Sequence, residues 1–236
     1  MTGSLVSPAT RARVRGLATP IATALGRLGL TPNALTVIGF LGTCVAAFAA
    51  ASQWWLAAGV LVLAFGIFDL FDGTLARATG RATKLGAFLD STFDRAGEGI
   101  VYVGIAAGSA AAGFSQGAVL AGAALAASFM VSYTRAKAES LGFSPGSGLM
   151  NVGLAPREVR LTILCLGLIW TSMWPPLVAP EPCTETGPSS GVCVDIFYAH
   201  PFGSNVLAVT LGLIAILATL TAIQRILHVR AQSREG

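Results

Sequence analysis

The chain has 236 residues, of which 54% are hydrophobic and only 11% charged, with a mean hydropathy of +0.71. A soluble domain of that length could not cover so large an apolar excess with polar surface, so the composition excludes the water-soluble classes and places the chain in a membrane. The net charge of +4 is small, and a nucleic-acid partner is not expected.

From Ser7 to Leu28, arginines interleave with apolar residues, without the unbroken apolar core of a secretory signal. Val14, Leu17, Ala18, Ile21, Leu25 and Leu28 recur at helical spacing, with arginines on the other face. This predicts an amphipathic helix lying in the membrane interface beside anionic lipid. Ser7-Pro8 and Thr19-Pro20 each join a capping residue to a proline at the first helical position, so the segment reads as two short helices.

Apolar runs of roughly 17 to 25 residues can cross a bilayer as helices. They extend over Ala34 to Ala51, Trp54 to Leu75, Gly86 to Gly108, Gln116 to Ser140, Arg160 to Val178 and Gly203 to Leu227. The expected fold is all-α, with an interfacial segment over 1–30 and six transmembrane helices over 31–236. Thr31-Pro32-Asn33 supplies a helix start at the first span. Arg11, Arg13, Arg15, Arg27, Arg77, Arg81, Lys84, Arg135, Lys137, Arg157, Arg160, Arg225, Arg230 and Arg234 all fall on one side of such a bundle. The opposite side carries Glu181, Glu185 and Asp195 but no lysine or arginine. The positive-inside rule then places both termini in the cytoplasm.

Asp69 and Asp72 end the second run, and Asp90 and Asp94 open the third. Spacings of three and four put each pair on one helical face. Facing each other, the pairs would form a four-carboxylate cage, whose repulsion and desolvation call for a hard cation such as Mg²⁺. Gly73 and Gly86 leave room for a nucleotide or for a neighbouring helix. Arg77 can neutralise a phosphate or hold one of the acids. Arg95 and Glu98 are close enough in sequence to pair with each other.

The fourth span ends in Ser132-Tyr133-Thr134-Arg135-Ala136-Lys137, and Arg157-Glu158-Val159-Arg160 opens the fifth. These basic groups face the same side as the acids. Gly104 and Gly108 form a small-xxx-small pattern suited to close helix approach in a homodimer. Pro175 to Pro201 reads as a long polar outer loop holding Cys183 and Cys193, either as a disulfide or as free thiols. Cys44 and Cys165 read as small core residues, and His200 and His228 as surface residues. Repeats, phosphate-loop lysine motifs and zinc-type cysteine pairs are absent.

The full pattern Asp-x2-Asp-Gly-x2-Ala-Arg-x8-Gly-x3-Asp-x3-Asp, running from Asp69 to Asp94, resembles the signature of the CDP-alcohol phosphotransferase family at every fixed position. The resemblance implies transfer of a phosphatidyl group from CDP-diacylglycerol to an alcohol, with CMP leaving. It implies two Mg²⁺ or Mn²⁺ ions held by Asp69, Asp72, Asp90 and Asp94, with Asp94 as the base. Asp69, Asp72, Gly73, Ala76 and Arg77 would contact the donor. Ser132, Arg135, Lys137, Arg157, Arg160 and Arg225 resemble the acceptor-phosphate pocket of the bacterial branch that uses inositol phosphate. There the branch often shows Arg-Pro-Glu-Arg where this chain has Arg157-Glu-Val-Arg160. A homodimer among membrane lipids is also implied. Glycerol 3-phosphate is the alternative acceptor, and a divalent-cation transporter is the alternative from another class.

Overall fold

The computed structural model describes residues 19–143, 153–174 and 201–234. Among these residues there are seven helices and no strand. A short helix, α1, covers 19–27. It is followed by α2 (Pro32–Ala51), α3 (Trp55–Ala78), α4 (Lys84–Ala111), α5 (Ser115–Ser140), α6 (Arg157–Thr171) and α7 (Pro201–Gln232). The expected starts at Ser7-Pro8, the apolar positions Val14, Leu17 and Ala18, the loop with Cys183 and Cys193, and His200 lie outside the described residues.

Local chemistry sets the boundaries nearest the site. The Ala34 N–H donates to the Thr31 hydroxyl at 3.2 Å, with Pro32 in the first turn where its missing N–H costs nothing. The Gly86 N–H donates likewise to the Thr83 hydroxyl at 2.9 Å and starts α4. Between them, Gly80 takes a φ of +64°, the left-handed turn that lets the chain leave α3 and come back as α4.

The principal packing pairs close a ring in the order α2, α3, α6, α7, α5, α4 and back to α2. Its apolar core combines Ala46 and Ala50 of α2, Trp55 and Val62 of α3, and Tyr102 and Ile105 of α4. Leu164 and Leu168 of α6 and Leu207 and Leu211 of α7 complete it. Around the outside, large apolar side chains such as Phe48, Leu63, Val103, Val119, Leu166 and Val209 are exposed. Apolar residues both inside and out are the mark of a bundle solvated by lipid.

Four described helices, Pro32–Ala51, Trp55–Ala78, Ser115–Ser140 and Gly203–Gln232, are long and apolar enough to cross a membrane. The other two predicted spans fall short on different grounds. In α4 the segment from Lys84 to Glu98 carries Lys84, Asp90, Asp94, Arg95 and Glu98, whereas α6 has only 15 residues. The helix at 19–27 docks through Ala22 and Leu25 onto Leu35 and Leu75, while Ile21 and Leu28 of its expected apolar face stay exposed.

Gly104 and Gly108 do not lie on a free outer face. A Cβ at either would overlap the backbone carbonyl of Ala47 or Ala50, so these glycines bring α4 against α2 within one chain. Gly104→Val should therefore overpack this contact and destabilise the protein by about 1 to 3 kcal/mol. Gly122→Val should be tolerated, because nothing lies within 4 Å of a Cβ there. Thermal unfolding of the two variants in detergent checks the contrast, and an unchanged midpoint for the first would contradict this packing.

Candidate functional site

Successive helices alternate in direction, so the start of α2, the end of α3, the start of α4, the end of α5, the start of α6 and the end of α7 meet at one end of the bundle. All the residues singled out for donor, metal and acceptor lie on these segments.

Asp72, Gly73, Ala76, Arg77, Gly86 and Asp90 line one cavity of about 180 Å³ together with Asn33, Thr36, Arg81 and Thr83. Asp69 and Asp94 lie on the other side of Thr36, in a narrow cleft shared with Gly39, Thr43, Gly97 and Arg157. The acids therefore partner across helices: Asp72 shares its cavity with Asp90, and Asp69 shares its cleft with Asp94.

Three of the four acids are answered by named donors. The Thr36 hydroxyl donates to Asp72 Oδ2 at 2.7 Å, and the Gly73 N–H donates to Asp72 Oδ1. Arg157 bridges Asp69 and Asp94, with Nη2 2.8 Å from Asp69 Oδ2 and Nη1 2.9 Å from Asp94 Oδ1. A guanidinium carries parallel donors on a rigid plane, which suits it to span two carboxylates. Gly39 and Gly97 are small for a steric reason, since a Cβ would stand 3.2 Å from Asp69 Oδ1 and 2.7 Å from the Thr43 hydroxyl respectively.

The basic residues expected to hold an acceptor phosphate divide into several environments. Arg160 is fully buried: Nε and Nη2 each lie 2.9 Å from a Glu98 carboxylate oxygen, and Nη1 donates to the Ala155 carbonyl at 3.0 Å. The local pair expected between Arg95 and Glu98 is not formed. Arg95 instead stands 3.8 Å from Asp94, because Glu98 turns inward to α6. Arg225 is buried and donates to the Val131 carbonyl. Arg135 pairs along its own helix with Glu139 at 2.9 Å, the Ser132 hydroxyl donates to the Ser128 carbonyl, and Lys137 lines an apolar groove with Tyr133 and Arg225.

Among the described residues no group of three or more acidic, histidine or cysteine side chains stands ready to hold a metal ion. The donor chemistry nevertheless fits a hard divalent cation, because carboxylates of α3 and α4 share the cavity (Asp72 and Asp90) and the cleft beside it (Asp69 and Asp94) with no soft ligand among them.

Residues 29–184 match the sequence model of the CDP-alcohol phosphatidyltransferase family. The chain belongs to that family. Among its relatives, the archaetidylinositol phosphate synthase of Pyrococcus horikoshii is 38% identical over 149 residues, 63% of this chain and 74% of that one. The phosphatidylinositol phosphate synthase of Streptomyces avermitilis is 30% identical over 241 residues, 99% of this chain and 86% of that one. The crystal structure of Mycobacterium tuberculosis phosphatidylinositol phosphate synthase with CDP-DAG bound matches with a TM-score of 0.69 at 28% identity, covering 90% of this chain and 92% of that one. The same enzyme in complex with manganese and citrate gives a TM-score of 0.69 at 29% identity, covering 90% and 88%.

Asn33 reads in the sequence only as part of a helix start, and Thr36 carries no motif, because both precede the signature by a helix. A signal was present: Asn33, Thr36, Gly39 and Thr43 form a small and polar stripe at helical spacing on an otherwise apolar span. Thr36→Val keeps the shape of the side chain but leaves Asp72 Oδ2 without its donor. It should cost about 1 to 3 kcal/mol of stability, measured by unfolding in detergent, while Thr36→Ser should stay near the parent protein. Equal stability of all three would refute the assigned hydrogen bond.

Proposed function

We propose that this member of the family transfers the phosphatidyl group of CDP-diacylglycerol to the hydroxyl of inositol phosphate and releases CMP. The observation that carries the reading is Arg157, a cation suited to phosphate that lies 2.9 Å from Asp94, while Asp72, Gly73, Ala76, Arg77, Gly86 and Asp90 line a separate cavity. The names of the relatives and the likeness to the CDP-DAG-bound structure support the substrate pair.

On this reading the nucleotide and pyrophosphate of the donor enter the cavity floored by Gly73, Ala76 and Arg77. Gly73 keeps the space beside the guanidinium open, since even a Cβ would stand 3.4 Å from Arg77 Nη1. Asp69, Asp72, Asp90 and Asp94 would hold divalent cations, expected as two Mg²⁺ or Mn²⁺, whose charge supports the pyrophosphate and the leaving CMP. The acceptor hydroxyl oxygen bonds to the phosphorus that bears diacylglycerol, the anhydride bond to CMP breaks, and the hydroxyl proton passes to Asp94. Arg157 and Arg225, with Ser132, Arg135 and Lys137 nearby, bind the acceptor's phosphate and bring its hydroxyl toward Asp94. Arg160 lies one helical turn from Arg157 but is engaged by Glu98.

We place the site at the cytoplasmic face of the cell membrane, with six spans counting α4 and α6 and with both termini inside. Charge sidedness supports this arrangement. The family resemblance supports a homodimer, although through a surface other than Gly104 and Gly108.

The test is CMP release by purified protein with CDP-diacylglycerol and a panel of acceptors. Inositol phosphate should be preferred, and a marked preference for glycerol 3-phosphate would replace the acceptor assignment. Asp69→Asn and Asp90→Asn should abolish turnover in protein that still folds. Arg157→Ala and Arg225→Ala should each weaken the acceptor by about 1.5 to 3 kcal/mol, or roughly ten- to a hundred-fold in KM. The KM for CDP-diacylglycerol should stay nearly unchanged.

A further inference from the structure

Two ion pairs join α4 to α6 one helical turn apart. Asp94 and Glu98 are four residues apart on α4, Arg157 and Arg160 are three apart on α6, and the pairs run Asp94 to Arg157 and Glu98 to Arg160. They differ in environment. The first opens on the catalytic cleft, with both side chains about one-fifth exposed, whereas the second is sealed, with side-chain exposures of 1% and 2%.

The sealed pair is also tied to α7. Arg160 Nη1 donates to the Ala155 carbonyl at 3.0 Å, and the Ala155 N–H donates to the Thr221 hydroxyl at 3.0 Å. Thr221 stands one turn before Arg225. A chain of buried hydrogen bonds therefore runs from α4 through Glu98, Arg160 and the residue leading into α6, and ends on α7 beside a second basic residue of the site. Its fork geometry fixes both the height and the rotation of α6, which a slippery apolar contact would not.

We propose that Glu98 and Arg160 are positioning residues, whose sealed ion pair sets Arg157 against Asp94, and that Arg160 does not itself contact the acceptor. This rests on the phosphotransferase reading above and departs from the grouping of Arg160 with the phosphate-binding arginines. Both donor-bearing sides of the Arg160 guanidinium are already committed, and the side chain has almost no exposed surface to offer a phosphate.

The experiment compares wild type with Glu98→Gln, Arg160→Gln, the neutral double variant Glu98→Gln/Arg160→Gln and the reversed pair Glu98→Arg/Arg160→Glu. Each single change leaves a buried group without its partner and can prevent folding, whereas the double variants strand no charge. Steady-state constants for both substrates are measured on folded protein beside its unfolding midpoint. The neutral double variant should lose kcat/KM for the phosphorylated acceptor by roughly ten- to a hundred-fold, since misplacement of an orienting group by about 1 Å costs that much. Its KM for CDP-diacylglycerol should stay within about twofold, and the reversed pair should recover most of the loss.

If the reversed pair handles the acceptor no better than the neutral one, a glutamate at position 160 is facing the phosphate and Arg160 is a direct contact, which overturns the proposal. Parallel loss for both substrates that tracks the unfolding midpoint overturns it as well, because the pair would then serve only the fold. The acceptor used is whichever phosphorylated alcohol the wild type prefers. A wrong acceptor identity therefore shows in the wild type alone, and failure of the positioning role shows only in the variants.

Discussion

Like charges brought together near the end of an apolar bundle repel one another and lose their water, and the surroundings must compensate for both effects. Here three of the four acids have specific partners. Asp72 receives a hydroxyl from α2 and a backbone N–H, while Asp69 and Asp94 share the Arg157 guanidinium. A bridge between two carboxylates on different helices is also a geometric statement. It fixes the mouths of α3 and α4 relative to α6, so the charge that the chemistry needs also holds the site in shape.

That shape depends in turn on how closely α2 approaches α4. Thr36 meets Asp72 where α2 faces α3 and Gly39 stands against Asp69, while small residues bring α2 against α4 at Gly97 beside Thr43, at Gly104 beside Ala47 and at Gly108 beside Ala50. In lipid, apolar side chains gain little from leaving one apolar medium for another, and close packing with interhelical hydrogen bonds carries the association instead. The alanines of α2 serve that purpose, and the same helix delivers Asn33 and Thr36 to the cavity that holds Asp72 and Asp90. Packing at the apolar end and polar contact at the other end are two parts of one helix interface.

Periodicity and capping chemistry made the helices legible from the sequence, since Thr31-Pro32, the apolar runs and the acid spacing are local properties. The boundaries fell within a few residues for α2 to α5. The fifth span was read past the described end of α6 at Thr171, because an apolar run does not reveal where its helix stops. The cavity residues Gly73, Ala76 and Arg77 were legible because they follow Asp72 within one helix and one turn repeats onto the next. Partners brought together by the ring closure were not. Glu98 looked like a neighbour of Arg95, yet its partner is 62 residues away, and nothing within α4 encodes that choice. Gly104 and Gly108 likewise declared close packing without declaring against which helix. A spacing motif specifies a face, and only the topology says what covers that face.

The ring places α2, α3 and the start of α4 on one side of Asp94, and α5, α6 and α7 on the other. Under the proposed reaction this divides the two substrates. The donor cavity is lined from the first group of helices, and the basic residues proposed for the acceptor come from the second. A transfer between a lipid in the leaflet and a soluble phosphorylated alcohol needs two different kinds of binding surface but a single point of contact. Asp94 is in hydrogen-bond reach of a residue from the second group while sitting on a helix of the first. An ion pair buried as deeply as Glu98 and Arg160 contributes little net stability over apolar residues of similar size. What it supplies is a defined separation, and at a seam between two half-sites a defined separation determines whether a bound hydroxyl meets its base.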